Sequence, residues 1–357
     1  MPDHELVGGP LPRAEQAAGS PPVAARGYWD LTWRRLRRDR AALASAGVIV
    51  FMFAATFAGG PILEQVLGHG PNDLFPYAVD ENLIPAGPFS RVPDVNTRVS
   101  DGPPSETTLF VLGGDGPLGR DELLRLLYGG RVSLLVALGA TALALSIGVV
   151  LGSLAALAGG AVDWAVSRLT EMVMAFPVLL LLILLGSTVS DRTDHITLGG
   201  FVNQGVISIV LLIGAFTWFY PARIVRAQML SLRNRDFVEA ARMTGAGTLR
   251  ILRRELLPHL LPSLLVYGSL IMATNIILEA SITFLGVGVR LPTASWGSLL
   301  SSTWGTLLAP SGSAAYLPPR TQALLTLWPS IAIFVTVLSF NLLGAGLRRA
   351  VEPEGAA

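Results

Sequence analysis

The chain has 357 residues, of which 51% are hydrophobic and 14% charged, and its formal net charge is +1. This composition is typical of membrane proteins. It contains no cysteine and no lysine, since all 26 basic residues are arginine. Disulfides, thiolate chemistry, the P-loop lysine of nucleotide hydrolases and Schiff-base catalysis are therefore excluded. The arginines do not interleave with aromatic residues, so nothing indicates nucleic-acid binding.

Six apolar runs are long enough to cross a hydrocarbon layer of about 30 Å, which requires roughly 20 helical residues. The sequence therefore predicts an all-α membrane protein with six transmembrane helices. Residues 1–40 lack the apolar core of a signal peptide and form an N-terminal tail, and residues 350–357 form a C-terminal tail. The predicted spans are residues 41–59, 132–158, 169–189, 206–221, 260–285 and 323–343.

The distribution of arginine predicts the orientation of these spans. Five arginines between positions 34 and 40 precede the first span, which places the N-terminus in the cytoplasm. The inward segments 1–40, 159–168, 222–259 and 344–357 then hold 18 of the 26 arginines. We therefore expect a multi-pass protein of the cell membrane with both termini cytoplasmic. The outward segment 60–120, rich in Pro, Gly and Asp, is predicted to be a loop with some local order.

Two details concern the shape of the spans. Gly148 and Gly152 are one helical turn apart and allow a neighbouring helix to approach closely. Phe176-Pro177 predicts a kink in the third span, because proline removes a backbone hydrogen bond. Trp218 and Pro221 suggest that the fourth span ends at a membrane interface.

The cytoplasmic segment 223–259 is predicted to contain two short helices separated by a turn. Asp236 is expected to cap the first helix, Glu239 to complete a capping box, and Gly245 to end the helix in a left-handed conformation. Ala240 and Ala241 offer a small, flat surface to a partner. The second helix, residues 248–257, has arginines on one side and leucines on the other, and Pro258 is expected to end it before the fifth span.

Glu239-Ala240-Ala241, Gly245 and Leu257-Pro258 resemble the EAA loop of ABC importer permeases, whose short helix docks in a groove of the ATPase. Glu255 stands where that pattern has isoleucine. The segments 118–134, 175–177, 277–289, 295–297 and 340–348 resemble the dipeptide, oligopeptide and nickel permeases, in particular the second permease of such heterodimers. One departure is that three residues, instead of two, separate Gly114-Asp115 from Gly119.

The resemblance implies the transmembrane domain of type I ABC importers (MetI-like) over residues 121–349, with an additional N-terminal helix. It also implies a homologous second permease, two cytoplasmic ATPase subunits that use ATP and Mg, and an extracytoplasmic solute-binding protein. This chain then binds no cofactor and is not an enzyme. The residues assigned to ATPase coupling are Asp236, Glu239, Ala240, Ala241, Gly245, Leu257 and Pro258.

Inside the membrane, Glu279 is the notable residue, because a carboxylate in an apolar run is costly. It either lines the translocation path or gate, with Asn275 one turn earlier, or holds helices together by hydrogen bonds. Asp163 and Glu171 are near the inner boundary and receive no role. His69 and His195 are expected to be solvated, without a metal.

Two classes of alternative stay open. Within the importer family, the substrate is a di- or oligopeptide, nickel or another small solute. A self-sufficient channel or ion-coupled carrier is the alternative from another class. It requires ionisable residues along a path through the spans, and apart from Glu279 the predicted spans contain few of them.

Overall fold

The computed structural model describes residues 28–81, 84–93, 107–193, 205–307 and 319–351, which form a helical bundle with a small cap at one end. The helices are α1 Tyr28–Arg38, α2 Arg40–Ala54, α3 Gly60–Leu67, α4 Glu122–Ala158, α5 Gly160–Ala175, α6 Val178–Thr193, α7 Val206–Thr217, α8 Phe219–Leu232, α9 Asp236–Met243, α10 Thr248–Ile251, α11 Leu257–Phe284, α12 Trp296–Leu307 and α13 Pro319–Val351. The short strands are β1 Ser90–Pro93, β2 Thr107–Phe110, β3 Gly114–Asp115 and β4 Arg120–Asp121.

Four helices of the described chain are long and apolar enough to cross a membrane, and two bent pairs raise the number to as many as six. The helix that forms the first predicted span extends beyond its predicted end. A π-helical segment, Ala55–Gly59, joins α2 to α3, so the helix runs to Leu67 and does not end at Gly59. It ends at Gly68, which has φ 75°. The four unbent spans are Arg40–Leu67, Glu122–Ala158, Thr248–Phe284 and Arg320–Val351.

The predicted third span is divided in two. α5 and α6 meet at 84°, and Phe176 between them is extended, with φ −93° and ψ 137°. Proline disfavours the helical conformation of the residue before it, which explains why the break falls at Phe176-Pro177. The predicted kink is thus confirmed as a sharp bend.

The predicted end of the fourth span is wrong. α7 and α8 meet at 43°, and α8 continues to Leu232. Trp218, expected at an interface, is buried against α4 together with Phe219. The proline at position 221 is tolerated because it lies in the first turn of α8, where its missing N–H has no helical acceptor.

The 37-residue helix α4 is the centre of the bundle and packs against α7, α8 and α11. Its glycines permit this packing. A Cβ at Gly148 would lie 2.7 Å from the Pro221 side chain, and one at Gly152 would lie 2.5 Å from the Ala222 carbonyl oxygen. The close helix approach predicted from these two glycines is confirmed.

The cap, residues 68–81, 84–93 and 107–121, has antiparallel β1–β2 and β3–β4 pairs around a small aromatic core. Arg125, at the start of α4, joins it to the bundle. The Arg125 Nε lies 2.5 Å from Asp115 Oδ2, and its Nη1 donates to Asn72 Oδ1 (3.0 Å) and to the Pro292 carbonyl (3.4 Å). Arg120 Nη2 is 2.9 Å from the same Asp115 oxygen.

His69 also belongs to the cap and is buried, so the prediction that it is solvated is wrong. Its ring packs edge-on against Phe75, and its Nε2 lies 3.7 Å from Asp121 Oδ2. The other carboxylate oxygen of Asp121 caps α4 by accepting the N–H groups of Leu123 and Leu124. Burial raises the pKa of Asp121 above its ordinary value. His195 lies outside the described residues.

Candidate functional site

The candidate coupling site is α9 and the turn that follows it, and the predicted capping box is wrong. Arg235 is the N-cap, with extended φ −85° and ψ 151°, and no side chain caps the helix. Asp236 is therefore the first helical residue. It shares the first turn with Glu239, where both carboxylates favour the positive end of the helix dipole.

The end of α9 matches the prediction. Gly245 has φ 79°, the left-handed conformation that glycine adopts without strain. Its N–H donates to the Arg242 carbonyl at 2.9 Å, and the next N–H, of Ala246, donates to Ala241 at 3.0 Å. These bonds satisfy carbonyls that the helix end leaves open and turn the chain sharply toward α10.

One face of α9 is held by the bundle. Val238 is fully buried in an apolar cluster with residues of α4, α8 and α11. Beside it, the Phe237 ring stacks on His259 with centroids 4.7 Å apart and an interplanar angle of 15°. The His259 Nδ1 lies 2.5 Å from the Glu255 carbonyl oxygen. The short helix is thus anchored to the base of α11.

The opposite face of α9 is open to solvent. Met243 is 86% exposed, the largest exposed fraction among the large apolar residues described, and sequence reasoning missed it. A flexible thioether suits a contact surface that must adapt to a partner. No heavy atom of the described chain lies within 4 Å of a Cβ built on Gly245. Of the predicted coupling residues, those exposed are Asp236, Glu239, Ala240, Gly245 and Pro258, and those half-buried are Ala241 and Leu257.

Pro258 does not end a helix, contrary to the prediction. The chain is helical without interruption over Thr248–Phe284. A π-helical turn, Leu252–Leu256, precedes Pro258, and the Leu257 N–H donates to the Leu252 carbonyl five residues earlier. The wider turn adapts the helix to a proline that lacks an N–H, and π-turns of this kind occur often at functional sites.

Glu279 and Asn275, the predicted path residues, are both buried inside the bundle. Asn275 donates to Thr141 Oγ1 of α4 at 3.0 Å. Glu279 accepts a hydrogen bond from Thr283 Oγ1 at 3.1 Å, and the hydroxyls of Ser133 and Ser295 face its carboxylate. Both serine oxygens already accept a backbone N–H near the start of α12, so their own hydrogens are available to the carboxylate.

This geometry supports the alternative in which Glu279 holds helices together, because it links α11 with α4 and with the loop before α12. A role for either residue in the path or gate stays a prediction. In the described part of the chain, no group of three or more histidine, aspartate or glutamate side chains is placed to hold a metal ion.

Comparisons with known proteins agree with the helical membrane architecture. A family model described as the inner membrane component of binding-protein-dependent transport systems matches residues 148–354. A second model, the N-terminal transmembrane domain of oligopeptide transport permease C, matches residues 27–85.

Individual relatives extend these matches over most of the chain. It is 31% identical to the oligopeptide transport system permease protein OppC of Haemophilus influenzae, over 93% of this chain and 90% of that protein. It is 32% identical to OppC of Escherichia coli, over 93% of each. It is also 35% identical to the nickel transport system permease protein NikC of Escherichia coli, over 68% of this chain and 78% of that protein.

Proposed function

The chain belongs to the permease family of binding-protein-dependent ABC importers, and from this premise we propose that it forms half of a translocation path for di- or oligopeptides. We further propose that it couples to a cytoplasmic ATPase through residues 236–258. Its partners are then a homologous permease, two ATPase subunits that use ATP and Mg, and an extracytoplasmic solute-binding protein. Both termini are cytoplasmic, and the chain itself catalyses no reaction.

The shape of α9 is the observation that supports coupling best. An eight-residue helix is marginal by itself in water and needs tertiary packing. Val238 and Phe237 provide that packing on one face, while Glu239, Ala240 and Met243 leave the other face open. A helix that is firmly attached to the bundle and exposed on its outer face can transmit a partner's movement.

The same contacts suggest a mechanism. A pull on α9 acts on Val238 and on the Phe237–His259 stack, which connect it to α8 and α11. We propose that closure of the ATPase subunits moves α9 and thereby rotates this bundle against its homologous partner. The path then opens alternately to the outside and to the cytoplasm.

A peptide substrate is supported by the oligopeptide permeases, which align over 93% of the chain, and by the match at residues 27–85. Nickel is the second candidate, because the nickel permease is 35% identical over 241 residues. Calorimetric titration of the cognate solute-binding protein with short peptides and with Ni²⁺ distinguishes the two. Tight binding of Ni²⁺ without binding of peptides would reject the peptide proposal.

The coupling proposal is tested by Gly245→Asp. Aspartate tolerates positive φ better than most residues, and the space around Gly245 is open, so the free chain should accommodate it. We expect uptake to fall at least tenfold and the ATPase subunits to co-purify poorly, while membrane insertion is unchanged.

Gly68→Asp is the matched control, because Gly68 has φ 75° and equally open surroundings at the other end of the molecule. This variant should retain the ATPase subunits. Normal transport by Gly245→Asp, or equal loss of ATPase in both variants, contradicts the proposal. Solute flux through liposomes that contain the chain without ATPase subunits would instead support a channel or carrier.

A further inference from the structure

A half-open cavity of about 580 Å³, lined by both polar and apolar side chains, lies between α5 and α8, away from the coupling site. Its volume is within the range of small-molecule sites in proteins. Among the residues that line it are Ser167, Thr170, Glu171, Met174, Arg223 and Arg226. Sequence reasoning placed Arg223 at the start of a cytoplasmic loop, whereas the structure places it in the first turns of α8.

Arg223 is exposed in the chain by itself, and it lies beside α4, short of the end of that helix. The neighbouring positions 221, 222 and 225 pack against Gly148 and Gly152 of α4. Gly152 is six residues before the end of α4 at Ala158, which is about 9 Å at 1.5 Å per residue.

The other charges around the cavity are paired. Arg226 forms two contacts with Asp163 of α5, one of them between Nη2 and Oδ2 at 2.7 Å. Glu171 at the rim pairs with Arg168 at 3.0 Å. The Arg223 Nη1 lies 3.4 Å from the Met174 sulfur. No carboxylate of the described residues lies within ion-pair distance of Arg223. One positive charge therefore faces the cavity uncompensated by these neighbours.

We propose that this cavity binds an anionic group, a carboxylate or a phosphate, at Arg223. The guanidinium fork matches the geometry of both groups and binds them through two parallel hydrogen bonds. Two sources can supply such a group. One is the C-terminal carboxylate of a peptide in transit, and this source rests on the proposed function. The other is the phosphate of a membrane phospholipid.

The absence of cysteine from the chain makes the site directly testable. Ala227 lines the cavity and is exposed, so Ala227→Cys introduces a single thiol in this chain beside Arg223. In the purified transporter, we expect an anionic thiosulfonate to label this thiol faster than a neutral one of similar size. Adding Arg223→Gln should lower the anionic-to-neutral rate ratio about fivefold, since it removes one nearby charge. Labelling is read by mass spectrometry of this chain.

Two control variants separate charge from disturbance of the fold. Arg223→Lys retains the charge and should keep most of the ratio, and Arg253→Gln removes an exposed arginine on a different helical segment and should leave the ratio unchanged. If Arg223→Gln leaves the ratio unchanged, or if Arg253→Gln lowers it equally, the proposal is overturned.

Protection from labelling identifies the source of the anion. Slower labelling with a free-acid dipeptide, but not with its C-terminal amide, assigns the site to the peptide carboxylate. Slower labelling with a short-chain phosphatidylglycerol alone assigns it to a lipid phosphate. Neither readout requires ATP hydrolysis or transport, so failure of the anion site is distinguishable from failure of the coupling proposal.

Discussion

The cap and the candidate coupling loop are both small structures attached to the same bundle, but they are held in opposite ways. In the cap, the charged groups of Arg120, Arg125, Asp115 and Asp121 are buried and directed at one another or at backbone groups. In the loop, α9 is attached through apolar contacts of Val238, and its charged residues face outward.

This difference bears on function. Buried ion pairs require close, fixed geometry, so the paired charges of the cap are held in place within the chain. An apolar anchor with a polar, exposed outer face instead leaves groups such as Glu239 available to a partner. The loop therefore has an open face, as the proposed coupling requires, whereas the ion pairs of the cap are buried.

The strongest test of the buried ion pairs in the cap is Arg125→Ala. The variant loses the contacts to Asp115, Asn72 and the Pro292 carbonyl and leaves a buried carboxylate with only Arg120 opposite it. We expect the free energy of unfolding to fall by about 3–5 kcal/mol, measured by denaturant unfolding in detergent. Arg91→Ala, an exposed arginine of the same cap, should change it by less than about 0.5 kcal/mol. Similar losses in both variants would mean that the buried cluster is not what holds the cap.

A smaller effect is expected from truncating the anchor of α9. Val238→Ala removes two buried methyl groups and should cost about 2 kcal/mol of stability. Met243→Ala, on the exposed face of the same helix, should leave stability unchanged but weaken co-purification of the ATPase. If Met243→Ala destabilises the isolated chain as much as Val238→Ala does, the assignment of inner and outer faces is wrong.

The smallest effect concerns the exposed ion pair between Asp39 and Arg349, at the end of the bundle opposite the cap. It contrasts with the buried ion pairs of the cap. Asp39 caps α2 and accepts hydrogen bonds from Arg349 of α13, which is the main reason why its pKa is lowered. A lowered carboxylate pKa contributes stability that is present above the ordinary value near 3.9 and lost as the pH falls through the lowered value.

Asp39→Asn keeps an oxygen that can accept the N-cap hydrogen bonds of α2, but it removes the charge. The unfolding midpoint should therefore drop at neutral pH. The drop should be about 2 °C or less, because the Arg349 side chain is largely exposed. The difference between wild type and variant should shrink as the pH is lowered to about 3 and as salt is added. A difference that is constant from pH 7 to pH 3 would assign the effect to the N-cap hydrogen bonds of α2 alone.

Much of the coupling loop was predictable because its signals are local. A glycine in left-handed conformation after a short helix, as at Gly245, follows from backbone sterics, and an exposed face that includes Glu239 and Ala240 follows from helical periodicity. The N-cap was mispredicted because Asp236 and Arg235 differ by one residue, and the backbone conformation that decides between them depends on how α9 docks on the bundle.

The buried positions were harder to predict. His69 follows a glycine at a helix end and looks solvent-exposed in sequence, yet the cap folds over it. Arg223 looks like the first residue of a cytoplasmic loop, because hydropathy falls there, but α8 continues for another nine residues beside α4.

The sequence by itself determined that this protein is a helical membrane permease, since the length of the apolar runs and the motifs shared with the permease family require no tertiary information. The tertiary structure decided which charges are buried, where helices bend or continue, and that Glu279 links α11 to α4. These features depend on contacts between residues far apart in the chain, such as Arg125 with Pro292 and Gly148 with Pro221, which no local pattern encodes.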